Sequence, residues 1–316
     1  MSEENARFEM RWPREQLVIE SYGHQIMNYR YHWHEDFYEL TVLLSGKLEY
    51  CRGSDTGFLE ENDVVLTSPG RGHASFSLAD MSRTIVIHFS PSVFKPYLKK
   101  GTSFQFPECW SDEKTRNTRK YRLLRFYAVQ VYQAMSSDKP YAAQIAKAAM
   151  IMLASALVEY FNPVVVKGTP EEDDGQKEAV GALISYMEKH YAEKITLEDL
   201  AGISNYNRTY VSTLFKNTVN MNFHDFLTRI RFRNALSDLA LSDAPLTEIA
   251  IRNGFADLKT FNAKFKEVLH RSPAEYRKQL DPDRIAPDEY TLFYVPPEDP
   301  LIQRKITEYT SIFPLE

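Results

Sequence analysis

Short runs of β-branched and aromatic residues, each ended by a turn, fill the first part of the chain. The run FYELTVLLSGKLEY is broken at Ser45-Gly46, and DVVLTSPGRGH leads from apolar residues into a Pro/Gly turn. A further apolar run, SRTIVIHFS, ends at Pro91. Short apolar runs bounded by such turns are typical of antiparallel strands. Residues 17–90 are therefore predicted to form a β-barrel or a β-sandwich.

The spacing of apolar positions becomes helical between residues 117 and 161. Two apolar-striped helices joined near Pro140 predict an αα-hairpin that covers the strands. The hairpin carries more apolar surface than a lid needs, so we expect it to form a homodimer, with Leu124 and Leu153 at the interface.

The stretch KGTPEEDDGQ, residues 167–176, is polar and acidic and predicts an interdomain linker. The chain is then helical to about Leu280. The pattern divides the chain into a sensor domain (1–110), a dimerisation hairpin (111–165), a linker (166–175), a helical domain (176–280) and a tail without assigned structure (281–316).

Charge is unevenly distributed along the 316 residues, whose net charge is −5. Residues 176–280 contain 15 lysines and arginines against 12 aspartates and glutamates, whereas residues 1–165 contain 19 of each kind. A basic segment in an acidic chain fits a domain that contacts phosphates. The polar N-terminus and the two cysteines without a C-x-x-C pattern lead us to expect a cytoplasmic protein without a structural disulfide or a membrane span.

Two segments of the helical domain show a short helix, a tight turn and a second helix with a polar outer face. The first spans about Thr196 to Asn217, where Thr196 with Asp199 caps the first helix and Asn207 caps the second. The outer residues of its second helix are Arg208, Thr209, Ser212, Thr213 and Lys216. This is the geometry of a helix-turn-helix motif, whose second helix enters the major groove of DNA.

The second segment spans about Leu246 to Leu269, with a turn at Gly254 and a cap at Asp257. The outer residues of its second helix are Lys259, Asn262, Ala263 and Lys266. A helix with an apolar stripe, NFHDFLTRIRFRNALSDLAL, connects the two segments. A rigid connection would place the two recognition helices in consecutive major grooves, roughly 34 Å apart.

These segments resemble the DNA-binding domain of the AraC/XylS family of transcription regulators. The resemblance is carried by LEDLA, YVSTLFK, FLTRIRFRNAL and LTEIAIRNGFADLKTFNAKFKEVLHRSPAEYRK. It implies an all-α domain of seven helices with two helix-turn-helix motifs, and base contacts by Thr209 and Thr213 and by Lys259 and Ala263. It also implies promoter DNA and RNA polymerase as partners, and activation of transcription.

The segment YHWHEDFYELTVLLSG contains His32, His34 and Glu39, and His73 follows in PGRGH. This pattern resembles the first two motifs of cupins, which implies a cupin-like barrel. In metal-binding cupins, three histidines and one glutamate hold one metal, so His32, His34, Glu39 and His73 are implied as ligands of a divalent Zn, Mn, Fe or Ni ion.

A second interpretation needs no metal and no other cofactor. Sensor domains of AraC-type regulators resemble cupins and keep such residues in an effector pocket. Here the pocket residues would be His32, His34, Tyr38, Glu39 and His73, and the effector a sugar or related small metabolite. The nearby aromatic side chains of Trp33, Tyr38 and Tyr50 suit the apolar face of a sugar.

The patterns together predict a ligand-responsive transcription activator without enzymatic activity, acting as a homodimer on promoter DNA. One alternative is a metal-dependent cupin enzyme, such as an isomerase or dioxygenase, with an accessory DNA-binding domain. Another is a constitutive architectural DNA-binding protein. Metal analysis with turnover assays distinguishes the enzyme from the ligand-responsive regulator. DNA binding measured with and without metabolites distinguishes the architectural protein from it.

Overall fold

The computed structural model describes residues 7–26, 28–34, 36–52, 55–78, 82–167, 174–204, 206–219, 222–269, 271–279 and 293–311. The strands are β1 (Arg7–Trp12), β2 (Leu17–Ile26), β3 (Asn28–His32), β4 (Tyr38–Ser45), β5 (Lys47–Arg52), β6 (Asp55–Glu60), β7 (Val64–Thr67), β8 (His73–Ser77), β9 (Ser82–Phe89), β10 (Thr102–Gln105), β11 (Val164–Lys167) and β12 (Phe293–Val295). The helices are α1 (Arg119–Met135), α2 (Ala142–Tyr160), α3 (Asp174–His190), α4 (Leu197–Ser204), α5 (Arg208–Val219), α6 (Phe223–Leu241), α7 (Leu246–Arg252), α8 (Leu258–Leu269), α9 (Pro273–Gln279) and α10 (Pro300–Ser311), with a 3-10 helix at Pro91–Tyr97.

Two antiparallel sheets face each other in the N-terminal part of the chain. The larger sheet has the order β1-β2-β9-β4-β7, with β12 also paired to β2, and the smaller has the order β3-β8-β5-β6. Among the described residues no strand pairing joins the two sheets, so they form a sandwich, which is one of the two arrangements that the strand pattern predicted. The closed cupin-like barrel that the resemblance implied is not found among these residues. Gly46, with a φ of 92°, turns the chain between β4 and β5 and so places these consecutive strands in different sheets.

Strand β4 is buried on both faces because it lies at the centre of this arrangement. Tyr38, Leu40 and Val42 belong to a core that the larger sheet shares with α1, α2 and α10. The alternate residues Glu39 and Thr41 point to the other side, towards the smaller sheet. One face of β4 therefore supports the fold, and the other supplies polar groups to the space between the sheets.

Helices α1 and α2 form the predicted hairpin and cover the larger sheet. Leu124 and Leu153 are fully buried in the core of the same chain, so the expectation that they face a second copy is wrong. The exposed apolar side chains of α2 are instead Ile145, Ile151 and Met152. Helix α2 is long and apolar enough to cross a membrane by length and composition, but one of its faces is packed into this core.

The C-terminal tail returns to the N-terminal sheets. Strand β12 pairs with Gly23–Gln25 of β2, and Asp299 accepts two hydrogen bonds from Arg83 at 3.1 Å. The side chains of Ile302, Ile306 and Tyr309 are buried in the core under the hairpin. Residues 293–311 are therefore part of the N-terminal fold, whereas residues 281–292 of the tail lie outside the described part.

Helices α3 to α9 form the C-terminal domain around the long helix α6. The first half of α6 packs with α3, α4 and α5, and the second half packs with α7, α8 and α9. The first of these cores also includes Cys51, Ala74 and Phe76 from the smaller sheet, so the two domains are in contact. The predicted linker begins within β11 and ends within α3, and its residues 168–173 lie outside the described part.

Candidate functional site

The first helix pair, α4 and α5, has the predicted caps at both helix starts. The backbone N–H of Asp199 donates to Thr196 Oγ1 at 3.2 Å, and the N–H of Thr196 donates to Asp199 Oδ2 at 2.8 Å. The N–H of Tyr210 donates to Asn207 Oδ1 at 2.9 Å. These bonds satisfy backbone donors that a helix N-terminus leaves open, which fixes where α4 and α5 begin.

Helix α5 buries one side and exposes the other. Val211, Leu214 and Phe215 are buried in the core. The exposed residues of this helix include all five predicted DNA contacts, namely Arg208, Thr209, Ser212, Thr213 and Lys216. The guanidinium of Arg208 pairs with Glu198 of α4 at 2.9 Å, and both side chains remain accessible.

The second helix pair, α7 and α8, turns at Gly254, which has a φ of 78°. A Cβ atom at this position would lie 2.7 Å from the carbonyl oxygen of Tyr191 and 2.7 Å from Arg231 Nε, so both the dihedral angle and the space require glycine. Asp257 Oδ1 accepts from the N–H of Thr260 at 2.7 Å and caps α8. The exposed residues of α8 include Lys259, Asn262, Ala263 and Lys266.

The arginines of α6 hold the domain together. Arg231 donates to the carbonyl oxygens of Tyr191 and Glu193, at 2.7 and 2.8 Å, and Arg233 forms an ion pair with Glu188. Arg229 pairs with Glu49 of the smaller sheet. The guanidinium groups of these three arginines therefore bind partners within the protein. The predicted DNA contacts lie on α5 and α8 instead.

A cluster of histidines surrounds Glu39 between the two sheets. His73 Nε2 lies 3.0 Å from Glu39 Oε2, His34 Nε2 lies 3.3 Å away and His32 Nε2 lies 4.0 Å away. His32 and His73 are direct partners in the pairing of β3 with β8. The structure thus brings together the four residues that the sequence singled out. We call the group formed by His32, His34, Glu39, His73 and His88 the histidine cluster.

His88 is a member of the cluster that sequence reasoning missed. It is the cross-strand neighbour of both Glu39 and Glu20, because β9 lies between β4 and β2. His88 Nε2 is 3.0 Å from Glu39 Oε2, and His88 Nδ1 is 3.3 Å from Glu20 Oε2. A signal was present in the sequence, since His88 is a polar residue in an otherwise apolar stretch of β9.

The protonation of the cluster follows from these contacts. Burial alone would raise the pKa of Glu39, but the neighbouring His73 and the hydrogen bonds from His34, His73 and His88 hold that pKa well below its usual value. Burial lowers the pKa of His88, but its bonds to Glu20 and Glu39 outweigh this and raise it to about 9. His88 is thus an imidazolium that donates to two carboxylates.

Of the aromatic residues suggested for the pocket, Tyr38 turns away from the cluster and Tyr50 faces it. Tyr38 does not face the cluster, because it neighbours Glu39 on a strand and so points to the opposite face. Its hydroxyl donates to the carbonyl oxygen of Phe104 at 2.6 Å inside the core, which removes Tyr38 from the effector pocket. Tyr50 does face the cluster: its hydroxyl lies 3.4 Å from Glu39 Oε1, and its ring stacks beside His73.

The geometry of the cluster fits a metal ion. The ligand atoms of His32, His34, Glu39 and His73 all lie within 4.8 Å of one another. Four ligands at about 2.0–2.2 Å from a zinc ion are separated by about 3.4 Å from each other in a tetrahedron, so small movements would suffice. Three imidazoles and one carboxylate are a donor set for a borderline transition metal. His88 and Tyr50 would hold the carboxylate from outside.

Comparisons with known proteins find matches in the C-terminal domain. A family described as "Helix-turn-helix domain" matches residues 200–279. The raffinose operon transcriptional regulatory protein RafR from Pediococcus pentosaceus is 33% identical over 97 residues, which cover 31% of this chain and 35% of RafR. An HTH-type transcriptional regulator from Staphylococcus aureus (strain COL) is 31% identical over 98 residues, which cover 31% of this chain and 13% of that protein. This chain therefore matches about a third or less of the length of either relative.

Similar solved structures include the C-terminal domain of AraT, a response regulator from Geobacillus stearothermophilus. It is 27% identical, has a TM-score of 0.31, and the match covers 37% of this chain and 93% of that chain. A structure of apo ToxT from Vibrio cholerae is 15% identical with a TM-score of 0.37, over 84% of this chain and 98% of that chain. The family match and the regulator relatives show that the C-terminal part of this chain contains a helix-turn-helix domain similar to that of AraC-type regulators.

Proposed function

We propose that this chain is a sequence-specific, ligand-responsive transcription regulator that acts on promoter DNA in the cytoplasm. One observation carries the proposal: α4 with α5, and α7 with α8, are packed on opposite halves of α6, and each pair exposes a polar second helix. Both pairs act as helix-turn-helix motifs, with α5 and α8 as the recognition helices. The matched relatives named above are regulators, and nothing in the comparisons supports the alternative of a metal-dependent enzyme.

We propose different DNA contacts for different exposed residues of α5 and α8. Lys259 and Asn262 carry side chains long enough to hydrogen-bond to base edges. Thr209, Thr213 and Ala263 offer methyl groups that fit against the methyl of thymine. The remaining predicted contacts bind phosphate and set the register: they are Arg208, Ser212, Lys216 and Lys266.

The histidine cluster is proposed as the ligand site of the sensor domain. A divalent transition-metal ion is the ligand that its donor set fits best, held by His32, His34, Glu39 and His73. A sugar or related metabolite is the second candidate, because the ring of Tyr50 lies beside the cluster and one relative is named as the regulator of a raffinose operon.

Thermal unfolding distinguishes the two candidate ligands. The protein is purified without chelator, its metal content is measured, and it is then unfolded with added zinc or with added sugars. A ligand present at 100 times its dissociation constant stabilises the fold by about 2.7 kcal/mol.

A homodimer formed through α2 is part of the proposal. The side chains of Ile145, Ile151 and Met152 are 43–49% exposed and lie on one side of this helix. Exposed apolar stripes of this kind are typical of protein interfaces. We further propose that the dimer activates transcription through contact with RNA polymerase, as the family resemblance implies.

The test of the proposed function uses the full chain and a pool of random duplexes. Duplexes that remain bound after repeated selection are sequenced, and their affinity is compared with that of scrambled duplexes. We expect at least a thousandfold preference, within the usual range for specific DNA binding, and an affinity that falls steeply with salt as counterions are released. Equal affinity for both duplexes at every salt concentration would contradict sequence-specific recognition.

A further inference from the structure

The smaller sheet has one face on the histidine cluster and the other on the DNA-binding domain. On β8, His73 points to Glu39, while the next residue, Ala74, belongs to the core of α3, α5 and α6. On β5, Tyr50 points to the cluster, while Cys51 joins the same helical core. Because successive residues of a strand point to opposite faces, a single backbone layer separates the histidine cluster from the core of the DNA-binding domain.

The segment His32-Trp33-His34 follows the same alternation at the end of β3. The rings of His32 and His34 lie next to each other in the cluster, with ring centroids 4.9 Å apart. Trp33, between them, packs in the opposite direction against the helical core. A backbone shift that moved the two histidines would therefore also move Trp33, which lies between them in the sequence.

The ring of Trp33 fills the place of a missing side chain on α3. A Cβ atom at Gly181 would lie 2.7 Å from Trp33 Cη2 and 3.6 Å from both Cζ2 and Cζ3. Gly181 lies in the interior of a 17-residue helix, where glycine costs about 1 kcal/mol relative to alanine. The close approach of the indole is the physical reason for a glycine at this position.

The interface between the two domains is not closely packed throughout. The guanidinium of Arg229 on α6 makes two hydrogen bonds to the carboxylate of Glu49 on β5, at 3.2 and 2.5 Å. Beside it lies a cavity of about 360 Å³, lined by residues of both domains that include Phe76, Phe232 and Lys264. A contact surface with an open cavity tolerates a change of docking better than a closely packed core does.

We propose that Trp33 couples the histidine cluster to the DNA-binding domain through its contact with Gly181. The inference rests on the proposed function of the cluster. A zinc ion held by the cluster would bring His32 closer to Glu39 than the present 4.0 Å, and the indole would then move against α3. Linkage then requires that zinc changes the DNA affinity, and that DNA changes the zinc affinity by the same factor.

The test measures this coupling factor in the full chain. The dissociation constant of a selected duplex is determined with and without zinc, and that of zinc with and without duplex. Wild type is expected to show a factor of at least five in both directions, the lower end of usual allosteric coupling. Gly181→Ala, which adds a methyl group against the indole, and Trp33→Ala, which removes the indole, are each expected to bring the factor within twofold of one while zinc still binds.

Gly202→Ala is the matched control, because a Cβ at Gly202 of α4 meets no atom within 4 Å. It is expected to keep the wild-type coupling factor. Wild-type coupling in folded Gly181→Ala and Trp33→Ala proteins would overturn the role of Trp33 and leave the proposed function intact. Wild type that binds no zinc, or binds it without any change in DNA affinity, would overturn the metal-responsive function itself and this inference with it.

Discussion

The two candidate sites of this chain differ most in how far they are exposed to water. On α5 and α8 the polar side chains proposed to contact DNA are exposed, whereas Glu39, His73 and His88 are only 2–7% exposed. An exposed polar side chain adds little to the stability of the fold, so it can be chosen for what it binds. A buried carboxylate is tolerated only when its partners satisfy it. Substitutions should therefore separate binding from stability in the C-terminal domain and change both together in the N-terminal domain.

The largest effect is expected from Glu39→Ala. The substitution leaves buried His73 and the imidazolium of His88 without their shared carboxylate, and breaking a buried pair costs about 3–5 kcal/mol. Urea unfolding measures the loss, and the same protein should no longer bind zinc. Glu113→Gln, at an exposed position before α1, is the control and should match wild type. A loss below about 1 kcal/mol would mean that the cluster is not the buried network described above.

Ile302→Ala applies the same comparison of buried and exposed positions to the C-terminal tail. Ile302 is 1% exposed and packs under the hairpin, and truncation of a buried isoleucine costs about 2–5 kcal/mol. Thr307→Ala alters an exposed position of the same helix and should leave the free energy of unfolding unchanged. Equal stability of the two variants in urea would show that α10 does not contribute to the N-terminal fold.

Lys259→Ala tests the exposed site. We expect a loss of about 1–3 kcal/mol in binding to the selected duplex, a smaller loss on scrambled duplexes, and wild-type stability. Lys264→Ala is the matched control for Lys259→Ala. Lys264 lies on the same helix, but its side chain is partly buried and pairs with Glu267 at 2.7 Å. Equal losses for Lys259→Ala on both duplexes would place Lys259 on phosphate instead of a base.

The smallest effect is expected from Met152→Asp. Its side chain is 49% exposed, next to the fully buried Leu153, so the substitution should leave the fold intact. A charge buried at the proposed dimer interface should weaken association about tenfold, or roughly 1.4 kcal/mol. Sedimentation velocity over a dilution series measures the dissociation constant, with Gln133→Asp on the exposed side of α1 as the control. An unchanged dissociation constant for Met152→Asp would mean that the dimer interface lies elsewhere in the protein.

Features that depend on neighbours in sequence were predictable. The caps Thr196, Asn207 and Asp257 each bind a backbone N–H three residues away, so they are visible in a short window of sequence. The same holds for the alternation of buried and exposed positions along α5 and α8. Tyr38 shows that a local rule can also be overlooked, because its place beside Glu39 already excluded it from the face that carries the cluster.

Features that depend on distant strands were not predictable. His88 and Glu20 join the cluster through the pairing of β2, β9 and β4, which no short window of sequence contains. The tail pairs with a strand about 270 residues earlier in the chain. The tail has two local signals in the sequence. One is the aromatic run YTLFYV, which contains β12, and the other is the spacing of Ile302, Ile306 and Tyr309, which marks one face of a helix.

Methylation protection of a selected duplex bound to the full chain tests most directly whether both polar helices read DNA. Guanine N7 lies in the major groove, so its protection reports a helix inserted there. The account predicts two protected stretches for each chain, about 10 base pairs apart on one face of the duplex, with the second lost in a variant that replaces Lys259 and Asn262 by alanine. A single protected stretch for each chain, unchanged in that variant, would contradict it.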